Sequence, residues 1–136
     1  MYADLTSLCV DQMKSILEAM SQMDKSRLGI VLVTDDQRRL AGTITDGELR
    51  RAILANLDLQ QSVTVLLAQK AGTAFARPIT ARAGADPNTY LALLKQHNVL
   101  HLPLVDEEQR VIGMVTMDEF LPTQVLPLNA VIMAGG

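Results

Sequence analysis

Sliding the sequence against itself by 71 residues brings two halves into register without a gap. Leu40-Ala41-Gly42-Thr43-Ile44-Thr45-Asp46-Gly47-Glu48-Leu49 lies over Val111-Ile112-Gly113-Met114-Val115-Thr116-Met117-Asp118-Glu119-Phe120. Upstream, Val33-Thr34-Asp35-Asp36 lies over Leu104-Val105-Asp106-Glu107. Each half therefore carries an apolar run, an acidic turn, a second apolar run, and then Gly, a β-branched or apolar pair, Thr and a nearby acid. The period is longer than that of common solenoids and only two copies exist, so the pattern reads as a duplicated domain and not an array.

Periodicity gives each unit a coarse structure. Met13, Ile16, Leu17, Met20 and Met23 recur at helical spacing after Asp11, which is read as the N-cap. Ile30 to Val33 and Leu40 to Ile44 read as strands around the turn Asp35-Asp36-Gln37-Arg38. Thr45 opens a further helix with Leu49, Ile53 and Leu54 on its apolar side. In the second unit Asp86-Pro87 places a cap before a proline at the first helical position, and that helix runs to about His97. Leu102 to Val105 and Val111 to Val115 are the matching strands, Met117 to Leu121 a short closing helix, and Arg77-Pro78-Ile79-Thr80 the lead-in strand. A short helix is expected around Val63 to Gln69. The expected organisation is repeat 1 over 1–60, a linker with a short helix over 61–76, repeat 2 over 77–122, and a separate tail over 123–136. The fold class is α/β, two β-α-β-β-α repeats with pseudo-twofold symmetry.

Composition narrows the function classes. The chain is 49% hydrophobic but only 3% aromatic and has no Trp, so its interior must be aliphatic. A net charge of -3 excludes a nucleic-acid partner, because backbone binding needs a basic face. No apolar run approaches the roughly 20 residues needed to span a bilayer, and the start at Met1-Tyr2-Ala3-Asp4 has no signal-peptide regions. Cys9 is single, which rules out an internal disulfide and suits a reducing cytoplasm. With His97 and His101 the only histidines, no metal site is expected. No nucleophile–base pair is visible either, so the chain as given is not expected to be an enzyme.

The chemistry-bearing motifs are Thr45-x-x-Glu48 and Thr116-x-x-Glu119. Both have the form of a capping box, in which the Thr side chain accepts from the N3 amide and the Glu reaches back to the cap residue's own amide. That role needs no ligand and contributes about 1 kcal/mol. A helix N-terminus also suits an anion, through unpaired N–H groups and the positive dipole end. Arg50 and Arg51, one turn into the helix, would add charge for a phosphate, although solvated surface charge is the plainer role for them and for Arg38-Arg39. His97 reads as a dipole partner at a helix end, and Cys9 as buried and unreactive.

The β-α-β-β-α repeat closing on Gly-x-(Ile/Val)-Thr-x-x-acid resembles the CBS domain (the cystathionine β-synthase repeat), across roughly residues 4 to 122. Gly42-Thr43-Ile44-Thr45-Asp46-Gly47-Glu48-Leu49-Arg50-Arg51 is similar to the signature of CBS pairs attached to sugar-phosphate enzymes, with Glu48 where Asp is usual. Leu102-Pro103-Leu104-Val105-Asp106 resembles the family's Leu-Pro-Val-Val-Asp strand. The resemblance implies a regulatory pair that holds an adenosine-containing ligand (AMP, ADP, ATP or S-adenosylmethionine) between its repeats and forms a homodimer. It implies Thr45 and Thr116 at phosphate or ribose, Glu48 and Glu119 at the ribose diol, Arg51 beside the phosphate, and Thr80 and His101 framing a base. The alternative is a ligand-free dimerisation scaffold in which both Thr-x-x-Glu motifs are only caps.

The tail Ala130-Val131-Ile132-Met133-Ala134-Gly135-Gly136 belongs to neither repeat. A strand running into Gly-Gly is how many phosphate-cradling loops begin. The string resembles the opening of a sugar-phosphate nucleotidyltransferase domain, which implies a regulatory fragment cut just inside such a C-terminal domain. A competing reading is a regulator of a sugar-phosphate isomerase, since Thr-Asp-Gly-acid-Leu-Arg-Arg also occurs there; in those proteins the pair follows the catalytic domain.

Overall fold

A computed structural model of the protein describes residues 4–70, 72 and 78–120. The duplication is carried into the backbone pairing. Strands β1 (Cys9–Asp11), β2 (Ile30–Thr34) and β3 (Leu40–Thr45) form one sheet in that order, and β4 (Ala81–Arg82), β5 (His101–Val105) and β6 (Val111–Thr116) form a second. In each, the first strand runs parallel to the second and the second antiparallel to the third. Val10 faces Val33 and Ile30 faces Thr45 in the first sheet; Ala81 faces Leu104 and His101 faces Thr116 in the second. All these pairs keep the 71-residue offset. Even the irregularity recurs, with a register shift at Val33/Thr34 and again at Leu104/Val105.

The helices are α1 (Leu5–Leu8), α2 (Ile16–Ser26), α3 (Asp46–Leu54), α4 (Thr64–Gln69) and α5 (Pro87–Gln96), with a 3₁₀ turn over Met117–Phe120. Asp86 caps α5 with proline at its start, as expected from Asp86-Pro87. The aliphatic run of β2 is buried at all five positions, as a strand covered on both faces must be. Ile16, Ala19, Val31, Val33, Ile44 and Leu66 pack into the core of the first repeat, and Tyr90, Leu94, Leu102, Leu104 and Val115 into that of the second. A third cluster joins the repeats: Leu8, Ile30 and Leu32 pack with Val111 and Met114.

The repeats are also stitched through their backbones. The Leu40 N–H donates to the Gln109 carbonyl and the Val111 N–H donates to the Arg38 carbonyl, both at 3.0 Å. Arg38 and Gln109, partners in the register, share a left-handed φ of 67°. Asp35 accepts from Arg39 and Asp106 from Arg110, each at 2.9 Å, which fixes the two hairpin turns that meet on the pseudo-twofold axis.

Four local expectations are corrected. Asp11 is not the N-cap of α2; it ends β1 and accepts from the Met13 amide at 2.8 Å. The cap is Ser15, in a complete capping box with Glu18. Met13 therefore precedes the helix and is 82% exposed, and on α3 Ile53 and Leu54 face outward while Leu49 and Ala52 are buried. Of the expected lead-in strand Arg77–Thr80, residues 78–80 are not in a strand; the strand is Ala81–Arg82, because the inherited register starts the parallel pairing at Ala81 opposite Leu104. Pro78, without an N–H, cannot donate to such a ladder. Arg77, the end of the second repeat at 121–122 and the whole tail 123–136 lie outside the described residues. Among the described residues no helix is long and apolar enough to cross a membrane.

Candidate ligand-binding cleft

The turn from β3 into α3 is set locally. Thr45 leaves the strand in an extended conformation and caps α3: its Oγ1 accepts from the Glu48 amide at 3.4 Å, and Glu48 Oε1 accepts from the Thr45 amide at 2.9 Å. The helix N-terminus is thereby held at the edge of an open cleft of about 590 Å³ between the two repeats, a volume within the range of small-molecule sites. Thr45, Glu48 and Arg51 line it from the first repeat and His101 lines it from the second. Arg51 folds back over the first turn, its Nη1 standing 3.7 Å from where a Cβ on Gly47 would be.

Lys70, which no local sequence signal points to, completes this wall. Its Nζ donates to the Thr43 carbonyl at 2.6 Å and lies 3.2 Å from Glu48 Oε2, with the two side chains only 14% and 18% exposed. The linker helix delivers it. Leu67 of α4 packs so tightly on Gly42 that a Cβ there would stand 2.6 Å from its Cδ2. An ionised carboxylate has about four lone-pair directions. Glu48 uses three of them, on the Thr45 amide, the Thr45 hydroxyl and Lys70. The Thr–Glu capping box and a charged cleft wall are thus the same object.

His101 ties the repeats together. Its ring Nε2 lies 2.9 Å from the Leu28 carbonyl of the other repeat. A carbonyl can only accept, so this nitrogen carries the proton and donates. Burial holds the imidazole below its ordinary pKa, partly offset by the Leu28 carbonyl and by the charge of Asp118. Pro78 and Ile79 provide a further wall. Thr80, expected to frame a base, is half-buried just before β4 and is not part of the cleft lining.

Thr116 and Glu119 are not brought to this cleft; they occupy the symmetry-related position on the other side. There the Thr116 amide donates to Glu119 Oε2 at 2.8 Å, repeating half of the Thr45 arrangement, and Thr116 is only 4% exposed. Cys9 packs beside that region, half-buried, and burial pushes its thiol up to about 11.

The sequence profile of the CBS domain matches residues 4–55 and 76–123. A CBS domain protein of Pyrobaculum aerophilum, solved in complex with AMP, superposes with a TM-score of 0.69 at 18% identity, covering 84% of this chain and 88% of that one. The CBS domain pair of protein MJ0100, solved with 5′-methylthioadenosine and S-adenosyl-L-methionine, superposes with a TM-score of 0.67 at 21% identity, covering 83% and 87%. Among curated proteins, an uncharacterised protein of Rickettsia prowazekii is 33% identical over 79% of this chain and 31% of its own length. Arabinose 5-phosphate isomerase KdsD of Pseudomonas aeruginosa is 28% identical over 82% of this chain and 32% of its own. The chain spans about a third of the curated relatives it matches. It belongs to the CBS domain family, and its fold is that of a CBS pair.

Proposed function

We propose that this CBS pair senses an adenosine-containing ligand, AMP, ADP, ATP or S-adenosylmethionine, and reports its level to a sugar-phosphate enzyme on the same polypeptide. The observation that carries the reading is the convergence of Thr45, Glu48 and Arg51 from one repeat with His101 from the other on a single cleft. In this reading the phosphate sits at the α3 N-terminus near Arg51 and Lys70, where dipole and charge act together. Glu48 turns its remaining lone-pair capacity to the ribose diol. The solved relatives with AMP and with S-adenosyl-L-methionine support that ligand class. A ligand touching both repeats biases their relative orientation, and the coupling to an attached enzyme is reciprocal.

The test is calorimetric titration of the purified chain with the four ligands. Saturable heat with one of them, lost in Thr45→Ala, supports the reading. Silence at millimolar ligand overturns it and leaves the capping scaffold. A homodimer is part of the same proposal: Leu17 of α2 and Ile53 of α3, beside Met20, leave an apolar groove half open to solvent. Light scattering that gives a monomer mass at micromolar concentration removes that part.

Two specific observations favour different attached enzymes. The tail at 130–136 favours a C-terminal nucleotidyltransferase, and the relatives favour an aldose–ketose phosphate isomerase. Assaying the natural full-length polypeptide decides between them: pyrophosphate release from a nucleoside triphosphate and a sugar 1-phosphate supports the first, sugar-phosphate isomerisation the second.

A further inference from the structure

We propose that the module takes one ligand per chain, in the Thr45–His101 cleft, because helix α1 seals the symmetry-related cleft with the chain's own apolar side chains. The ligand part rests on the adenosine reading above; the seal does not.

The 71-residue register lets the two clefts be compared residue by residue. Thr43, on the wall of the open cleft, corresponds to Met114, which is fully buried. Ile79 on the opposite wall corresponds to Leu8, 1% exposed at the end of α1. Leu8 and Met114 belong to one packed cluster, with Leu5 and Leu28 against it. The space that is open on one side is therefore filled on the other. Burial of apolar surface is favourable in proportion to its area, so a ligand entering there would first have to displace that surface into water.

Helix α1 is too short to persist alone, yet it is pinned at three places. Asp4 caps it and accepts from the hydroxyls of Thr6 at 2.6 Å and Ser7 at 2.7 Å. Gln22 of α2 donates to the Thr6 carbonyl. Leu8 enters the core.

The chemistry differs independently of the packing. Arg51 corresponds to Pro122 and His101 to Ile30, so at these two register positions the second copy carries neither a guanidinium nor an imidazole. Thr116 and Glu119 keep the motif there as a helix start and not as a site.

Two measurements on the intact chain test this. Hydrogen exchange without ligand reads the seal: amides at residues 8–9 and 111–115 should be protected together, and open-chain exchange at 8–9 would overturn the proposal whether or not any nucleotide binds. Titration with AMP reads the site: one equivalent per chain is expected. Glu48→Gln should weaken binding by about tenfold or more, as for loss of a charged hydrogen bond. Glu119→Gln should stay within about twofold, because separated sites act independently. Two equivalents, or equal losses from both variants, would sink the single-site claim. Absence of binding by AMP and the other three ligands, with residues 8–9 protected, would remove the sensor reading and the ligand half of this proposal while leaving the seal standing.

Discussion

The two clefts of this pair share backbone register, bulge and capping motif, yet one is open and charged and the other closed and aliphatic. At the open side, Lys70 and Glu48 form a pair close to the N-terminus of α3. At the closed side, Leu8 and Met114 meet in a buried cluster. Duplication fixed the frame, and side-chain substitution within that frame divided the labour. One half keeps an open, charged cleft and the other contributes cohesion between the repeats. A symmetric fold therefore does not imply two symmetric functions; what lines each cleft has to be read separately.

The largest expected effect comes from emptying the sealed side. Leu8→Ala should destabilise the chain by about 2–5 kcal/mol, read from a denaturant midpoint, and should expose the cluster around Met114. A cost well under that range would mean the second cleft is not packed as described. On the open side, Lys70→Met leaves Glu48 without its ammonium partner. The expected cost is about 1–3 kcal/mol, together with weaker nucleotide binding; an unchanged affinity would remove Lys70 from the phosphate wall.

Thr45→Ala and Thr116→Ala sharpen the comparison at equal chemistry. The first removes a capping oxygen worth about 1 kcal/mol and should abolish binding; the second removes a buried hydroxyl that donates to Glu119 and should leave binding unchanged. Matching binding losses would put a working site on both sides.

His101 gives a smaller, pH-dependent signature. Its folded pKa lies below the ordinary value of 6.5. The unfolded chain therefore binds the proton more readily, and folding stability is complete above about pH 6.5 and falls as pH drops below it. His101→Gln, which retains a donor for the Leu28 carbonyl, should flatten that part of the stability curve. If the slope persists in the variant, another group causes it.

The smallest effect is kinetic. The Cys9 thiol, raised to about 11 and packed beside the sealed cluster, should react slowly with a disulfide reagent at pH 8, since the thiolate is the reacting form. Leu8→Ala should speed the reaction. Fast labelling of the unaltered chain would mean that α1 does not stay docked.

Much of the fold was legible because its signals are local or repeated. The alternation of aliphatic runs and acidic turns located β2, β3, β5 and β6 to within a residue, and Thr45-x-x-Glu48 marked the start of α3. The same rule applied at Ser15-x-x-Glu18 finds the cap of α2, whereas the apolar period counted from Met13 points to Asp11. Arg77-Pro78-Ile79-Thr80 reads as the lead-in strand from sequence, whereas the parallel partner β5 starts the pairing at Ala81.

The candidate site was legible in part. Thr45, Glu48 and Arg51 stand at i, i+3 and i+6 along the start of α3, so their place on one helix face follows from sequence spacing. The arrival of His101 and Lys70 beside them does not. Lys70 is carried in by the packing of α4 on Gly42, and His101 by the docking of one repeat on the other. The motif pair at Thr116 and Glu119 looked equivalent because a capping box has the same spacing whether or not space remains in front of it.

The sequence by itself determined the duplication, the aliphatic interior, the registers and the helix starts, since each depends on residues near in the chain or on a repeat within it. Only the tertiary structure decided which copy keeps an open cleft. That choice depends on whether Leu8 meets Met114 across the repeat boundary, a contact between residues more than a hundred positions apart, and close packing admits one occupant to a given volume.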